Sequence, residues 1–173
     1  CDRQAIENAV HQLKEEFGRI DVLVNNAGVT RDNLIDKMTE DEWDTVVEVN
    51  LKGVFNMTQA VAPLMMANEQ GAIITMSSVV GTDGNIGQSN YAASKGGVIA
   101  MTKGWAKEFA RKGAQVRVNC VAPGFVETQL TANLPEKVID FMTAKTPLRR
   151  MGKPTDIAEG VLFLASDRAA FIT

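Results

Sequence analysis

Tyr91 and Lys95 stand four residues apart, and Ser78 lies thirteen residues ahead of the tyrosine. Four residues is just over one helical turn, so a helix would project the phenol and the ammonium from one face. A phenol with an unperturbed pKa of about 10 is a poor acid or base at neutral pH. A neighbouring ammonium favours the phenolate and draws that pKa towards the working range. A serine hydroxyl at a nearby strand end can hydrogen-bond a substrate oxygen beside the phenol. Together with Asn50 these residues form a set suited to moving a proton to or from a carbonyl or alcohol oxygen. Each also has a plainer reading. Tyr91, the one tyrosine of the sequence, could be a half-buried packing residue and Lys95 a solvated helix lysine. Ser78 could cap a strand end, and Asn50 could be a satisfied buried amide in a helix that disfavours asparagine.

Strand and helix patterns alternate along the chain and must position that set. Ile6, Val10, Leu13 and Phe17 recur at helical spacing over 3–17, and Gly18 ends the run. The short apolar run 20–25 reads as a buried parallel strand. After a loop over 26–39, a long helix is expected over 40–66, bent or ended in its regular part by Pro63. A second strand is expected over 72–76 and a glycine-rich loop over 79–88. The helix that carries Tyr91 and Lys95 then spans 90–112 and closes at Gly113. A third strand spans 116–121. A short helix near 135–144 and a last one over 155–165, with Pro154 at its start, complete the pattern. Such alternation predicts an α/β fold, a Rossmann-like doubly wound parallel sheet with helices on both faces. Three strands alone leave apolar edges unpaired, and residues 169–173 read as the start of another strand. The expectation is a single domain over 1–173, present in part, with pieces missing at both ends.

The 173 residues, 45% hydrophobic and 23% charged, suit one soluble domain with a real core. A net charge of −3 without a basic stripe argues against nucleic acid as the main partner. No apolar run is long enough for a membrane span. Cys1, Cys120 and His11 are the only cysteines and histidine, which leaves no ligand set for structural zinc; no metal is expected. Two cysteines in an acidic chain point to a reducing, cytoplasmic setting. Cys120 reads as inert core and His11 as solvated. The methionines read as packing residues.

Asn25-Asn26-Ala27-Gly28, Asn50, Ser78, Tyr91-x-x-x-Lys95 and Pro123-Gly124 occur in the order and at the separations of the short-chain dehydrogenase/reductases. The resemblance covers essentially the whole chain. Within the family, the stretches 25–34, 77–81 and 122–128 most resemble the bacterial 3-oxoacyl-acyl-carrier-protein reductases. The resemblance implies NADP(H)-dependent reduction of a 3-oxoacyl thioester, linked to acyl carrier protein or CoA, in fatty acid biosynthesis. NAD(H) stays open. Tyr91 is then the proton donor, and the spacing to it selects Ser78 over Ser77 as the residue that orients the carbonyl. Lys95 bonds the nicotinamide ribose, and Asn50 holds a water that passes protons towards Lys95. Asp2 lies near the adenine, and Asn26, Ala27 and Gly28 lie along the adenosine ribose. Pro123, Gly124, Val126 and Thr128 pass the nicotinamide. A homotetramer built on the two long helices is implied as well.

The family's Gly-x-x-x-Gly-x-Gly turn, which cradles the cofactor pyrophosphate at a helix N-terminus, does not occur in the sequence. By resemblance the chain begins just after the family's third strand and ends before its seventh. The resembled reductases dock acyl carrier protein on a basic surface, whereas 65–70 carries no positive charge. Arg111 and Lys112 could serve instead, and Arg149-Arg150 could touch a charged substrate carrier. Two other readings follow: a family reductase acting on acetoacetyl-CoA, a sugar, a steroid or a small ketone, or a non-catalytic truncated remnant.

Overall fold

The structure, a computed structural model, describes residues 2–129, 131–132 and 134–173. Cys1, which entered the redox expectation, lies outside the described residues, as do Leu130 and Asn133. Helix α1 (Arg3–Phe17) starts where the Asp2 carboxylate accepts the Ala5 N–H and stops at Gly18, whose φ of 77° an L side chain resists. It buries Val10, while Leu13 and Phe17 of the expected apolar stripe stay exposed. Strand β1 (Val22–Asn25) is shorter than expected. Asp21 still joins the ladder through its carbonyl, which accepts the Ala72 N–H at 2.9 Å. Strands β2 (Gln70–Met76) and β3 (Gln115–Val121) complete a parallel sheet of order β1-β2-β3.

The register places Leu23, Ile73 and Val118 in one row. These three pack with Val10 of α1 and with Val61, Ala62 and Met65 of α3 (Gly53–Ala67). Phe109 of α5 (Ser89–Phe109) closes the same core. The next row along the strands, Val24, Ile74 and Asn119, points to the opposite face. Helix α7 (Pro154–Ala165) packs there against β2 and β3. Its packing is on β2 and β3, and Val22 and Val24 of β1 remain exposed while Ile74 is fully buried. The expected α/β, Rossmann-like parallel arrangement is therefore present, with helices on both faces.

The long helix over 40–66 is interrupted, but not at Pro63. Helix α2 (Glu40–Val47) opens with a capping box between Thr39 and Glu42. A π-helical turn, Glu48–Lys52, then separates it from α3. Helix α3 runs through Pro63 to Ala67. Burial of Val61, Ala62 and Met65 on the sheet outweighs the one helical hydrogen bond that proline removes. Helix α4 (Val80–Asp83) occupies part of the expected glycine-rich loop, and α6 (Glu136–Lys145) falls where a short helix was expected.

Residues 169–173 do not form a strand. A 3-10 turn spans Asp167–Ala169, and the segment then meets the outer edge of β3 through side chains. Val118 N–H donates to Thr173 Oγ1 at 2.9 Å, and the Asn119 amide donates to Ile172 O at 2.8 Å. Arg117 holds the end of α7 there, donating to Leu164 O at 2.7 Å and Ser166 O at 3.2 Å. No helix among the described residues is long and apolar enough to cross a membrane.

Candidate active site

Parallel strands present their carboxyl ends to one side of a sheet, where ligands of such folds bind. The end of β2 supplies three consecutive residues, each of which engages α5. Met76 O accepts the Lys95 ammonium at 2.7 Å. Ser77 Oγ donates to the Lys95 carbonyl at 2.8 Å. Ser78 lies beside the Tyr91 phenol, whose pKa it lowers, and its hydroxyl accepts the Val80 N–H at 3.1 Å, which ties α4 to the same point. Lys95 Nζ lies 5.6 Å from the centroid of the Tyr91 ring. The helical spacing read from the sequence thus brings the phenol and the ammonium together, and the strand end brings the serine to them.

The electrostatics differ from the sequence expectation. Burial raises the Tyr91 phenol above its ordinary value; the nearby Ser78 hydroxyl opposes this and the Asp32 charge adds to it. The Lys95 ammonium does not pull the phenol down. It is itself buried, and desolvation lowers its pKa from 10.5 to about 8. In the protein alone, loss of hydration outweighs attraction between the two groups.

Asn50 sits in the π-helical turn, an irregularity frequent at functional sites. Its amide is fully buried and brackets one residue of the loop after β1. Asn50 Oδ1 accepts the Val29 N–H at 2.8 Å, and Asn50 Nδ2 donates to Val29 O at 2.9 Å. A longer contact of 3.4 Å runs from Nδ2 to Ser94 Oγ. The side chain is thus committed to holding Val29 in place. Gly28 lies between Asn50 and Lys95: a Cβ built there would come within 3.4 Å of Asn50 Oδ1 and 3.5 Å of Lys95 Nζ. Loop, π turn and lysine therefore converge at a glycine, where a backbone is open to close approach.

The expected cofactor residues divide. Asn26, Ala27 and Gly28 form an exposed segment directly after β1. Pro123 O accepts the Val79 N–H at 3.1 Å, which sets the Pro123-Gly124 turn beside Ser78. Val126 pairs with Gly152 in an isolated parallel bridge. That bridge uses the Glu127 N–H and the Gly152 N–H, so the Val126 N–H points away from it. Thr131, which the sequence reading missed, organises this loop by accepting the Thr128 N–H at 2.9 Å and donating to Val126 O at 2.9 Å. Asp2 is not drawn to these residues by any bond; its carboxylate is spent on the cap of α1. The roles of Ser77, Gly81 and Asn90 in holding α5 also escaped the sequence reading. A Cβ on Gly81 would lie 2.7 Å from the Lys95 backbone carbon, so α4 packs directly on the helix of the tyrosine. The signal for Gly81 was available in the close helix approach that glycine permits; nothing in spacing marked Ser77 or Asn90. Cys120 is half-buried, with its thiol raised chiefly by burial, and His11 is exposed beside Glu15.

A nicotinamide cofactor fits these residues. A buried ammonium has one backbone acceptor recorded for its three hydrogens, and it faces a glycine whose missing side chain leaves room beside it.

Comparison with known proteins agrees with this geometry. The family model described as "Enoyl-(Acyl carrier protein) reductase" matches residues 1–173. The chain is 55% identical over 172 residues to the 3-oxoacyl-acyl-carrier-protein reductase FabG of Thermotoga maritima, covering 99% of this chain and 69% of that protein. It is 49% identical over 173 residues to the protein of the same name from Staphylococcus aureus strain Mu50, covering 100% and 70%. It is 49% identical over 170 residues to that of Vibrio cholerae, covering 98% and 69%. With the phenol, ammonium and serine gathered at the end of a parallel strand, and with these likenesses along its whole length, the chain belongs to the short-chain dehydrogenase/reductase family.

Proposed function

We propose that the protein reduces a 3-oxoacyl thioester, carried by acyl carrier protein or CoA, to the 3-hydroxyacyl thioester, as a cytoplasmic step of fatty acid biosynthesis. The observation that carries this reading is the joint attachment of Ser78, Tyr91 and Lys95 at the junction of β2 and α5. The bound nicotinamide cofactor supplies the hydride, and NADP(H) is the form we assign. Tyr91 delivers a proton to the C3 oxygen. Its raised pKa means that the phenol is fully protonated at neutral pH, ready to donate. Ser78, beside the phenol, bonds the same oxygen and fixes its direction. Lys95 places a cation beside the phenol and bonds the cofactor ribose through Gly28's open side. Asn50 holds the 26–31 loop against Lys95, and a water bound there refills the proton.

Asn26, Ala27, Gly28, Pro123, Gly124, Val126 and Thr128 are proposed cofactor contacts. Asp2, at the N-terminus of α1, would meet the adenine. Acyl carrier protein is the proposed carrier, since the three relatives named above are reductases of acyl-carrier-protein substrates by name.

The test is NADPH oxidation by the full-length polypeptide with 3-oxoacyl-carrier protein and with acetoacetyl-CoA. Turnover with either is expected, faster with NADPH than with NADH. Tyr91→Phe keeps the ring and removes the proton, and is expected to lower kcat by about 10²–10⁴-fold. Full activity of that variant would overturn the assignment of the proton donor. Inertness of the wild type towards both thioesters would overturn the substrate.

A further inference from the structure

We infer that Asn90 is a positioning residue for Tyr91, holding the first turn of α5 against the loop after β1 and against α2. The inference rests on the proposed role of Tyr91 as proton donor. Asn90 is fully buried, although it directly precedes the tyrosine. Every polar atom of its side chain is engaged. Asn90 Oδ1 accepts the Tyr91 N–H at 2.7 Å. Asn90 Nδ2 donates one hydrogen to Arg31 O at 2.8 Å and the other to Glu42 O at 3.0 Å.

The first four N–H groups of a helix have no acceptor within it. Tyr91 is the third residue of α5, and the Gln88 side chain provides no cap. Asn90 therefore supplies the bond that the helix cannot. The other side of the same amide is tied to two elements distant in sequence. Those elements are in turn joined to the residues just before α5. Asn33 N–H donates to Gly87 O at 2.9 Å, and Gln88 Nε2 donates to Asp32 Oδ2 at 2.9 Å. Asn33 Nδ2 reaches the Glu42 carboxylate at 3.3 Å, which also caps α2 through Thr39 N–H at 2.7 Å. Asn90 is the buried centre of this brace, and Tyr91 is the residue its amide fixes.

The consequence is geometric. Ser78 and Met76 hold the phenol and the ammonium from the strand side, but the backbone of Tyr91 is held from the opposite side by Asn90 alone among the side-chain bonds recorded at that N–H. Displacement of a catalytic group by about 1 Å is enough to cost about 100-fold in rate.

Two substitutions test this. Asn90→Ala removes all three bonds. Asn90→Ser leaves a hydroxyl able to accept the Tyr91 N–H but too short to reach Arg31 O and Glu42 O, and it serves if the alanine variant fails to fold. For the folded variant, kcat at saturating NADPH and thioester is expected to fall by about 10- to 100-fold while NADPH affinity is unchanged. A second readout needs no turnover. The ultraviolet titration of the Tyr91 phenol, taken as a difference against Tyr91→Phe, is expected to move from above the ordinary range back towards it as water reaches the ring. The charged groups beside that phenol are Lys95 and Asp32, and neither is substituted in these variants. A lowered melting temperature with unchanged kcat and unchanged phenol titration would show a merely structural asparagine and overturn the inference. Tyr91→Phe separates the two readings: if it is inactive while Asn90→Ser is fully active, only the role of Asn90 fails; if it is active, the proton-donor reading fails first.

Discussion

At the scale of single residues, the site is governed by what burial does to charge. Lys95 is almost wholly removed from solvent, with one backbone carbonyl as its recorded acceptor. Its pKa of about 8 compares with 10.5 for an ordinary lysine. Between those values an unfolded chain keeps a proton that the folded chain has released. The folded state therefore gains stability as pH rises through that window, and loses it as pH falls through the folded value. Relative to Lys95→Met, the wild type is expected to gain up to about 3 kcal/mol between the two pH values. Denaturant titrations of both proteins below pH 8 and above pH 10.5 measure that change. A constant difference would show a solvated ammonium. The sequence disclosed the type and spacing of Tyr91 and Lys95 but gave the wrong sign for the phenol, because attraction between neighbours can be read from spacing and desolvation cannot.

At the scale of elements, Ser78, Tyr91 and Lys95 are positioned by contacts between segments far apart in the chain. The end of β2 grips α5 through three successive residues, and α4 is pressed onto the same helix at Gly81. Gly81→Ala would place a methyl group 2.7 Å from the Lys95 backbone carbon. Backbone cannot swing aside as a side-chain tip can, so α4 must shift. A loss of about 1–3 kcal/mol is expected, together with a fall in kcat, because α4 and the Ser78 hydroxyl share a hydrogen bond. Chemical denaturation and steady-state kinetics on the same preparation check both. Unchanged stability would mean that the helices part more easily than this packing implies. The π-helical turn at Glu48–Lys52 was not legible beforehand. Periodicity over 40–66 is continuous, and the visible disruptor, Pro63, is absorbed by burial of its neighbours.

At the scale of the whole molecule, the sheet is covered unequally. Helices α1, α3 and α5 cover one face, and α7 covers β2 and β3 alone on the other. Trp43 on α2 and Phe55 on α3 remain exposed, both on the first of the two long helical segments, 40–66 and 90–112, proposed to build a homotetramer. Light scattering of the full-length polypeptide is expected to give the mass of four copies, and Phe55→Glu is expected to reduce it. A monomer at micromolar concentration would remove the tetramer. Alternation of strand and helix, read from hydrophobic period, was enough to give the parallel α/β arrangement. It misjudged the C-terminal residues 169–173, whose apolar composition suits a strand but which bond to β3 through side chains instead.

By itself the sequence determined which chemical groups are present, the one-turn spacing that puts Tyr91 beside Lys95, and the order of elements, because these depend on local geometry and hydrophobic period. Tertiary structure decided the rest: that Asn50 is spent on Val29, that Ser77 and Asn90 hold α5, and that both Tyr91 and Lys95 shift against their charged forms. Those outcomes depend on burial and on partners 18 to 59 residues away in the chain, and neither is encoded in the spacing of neighbours.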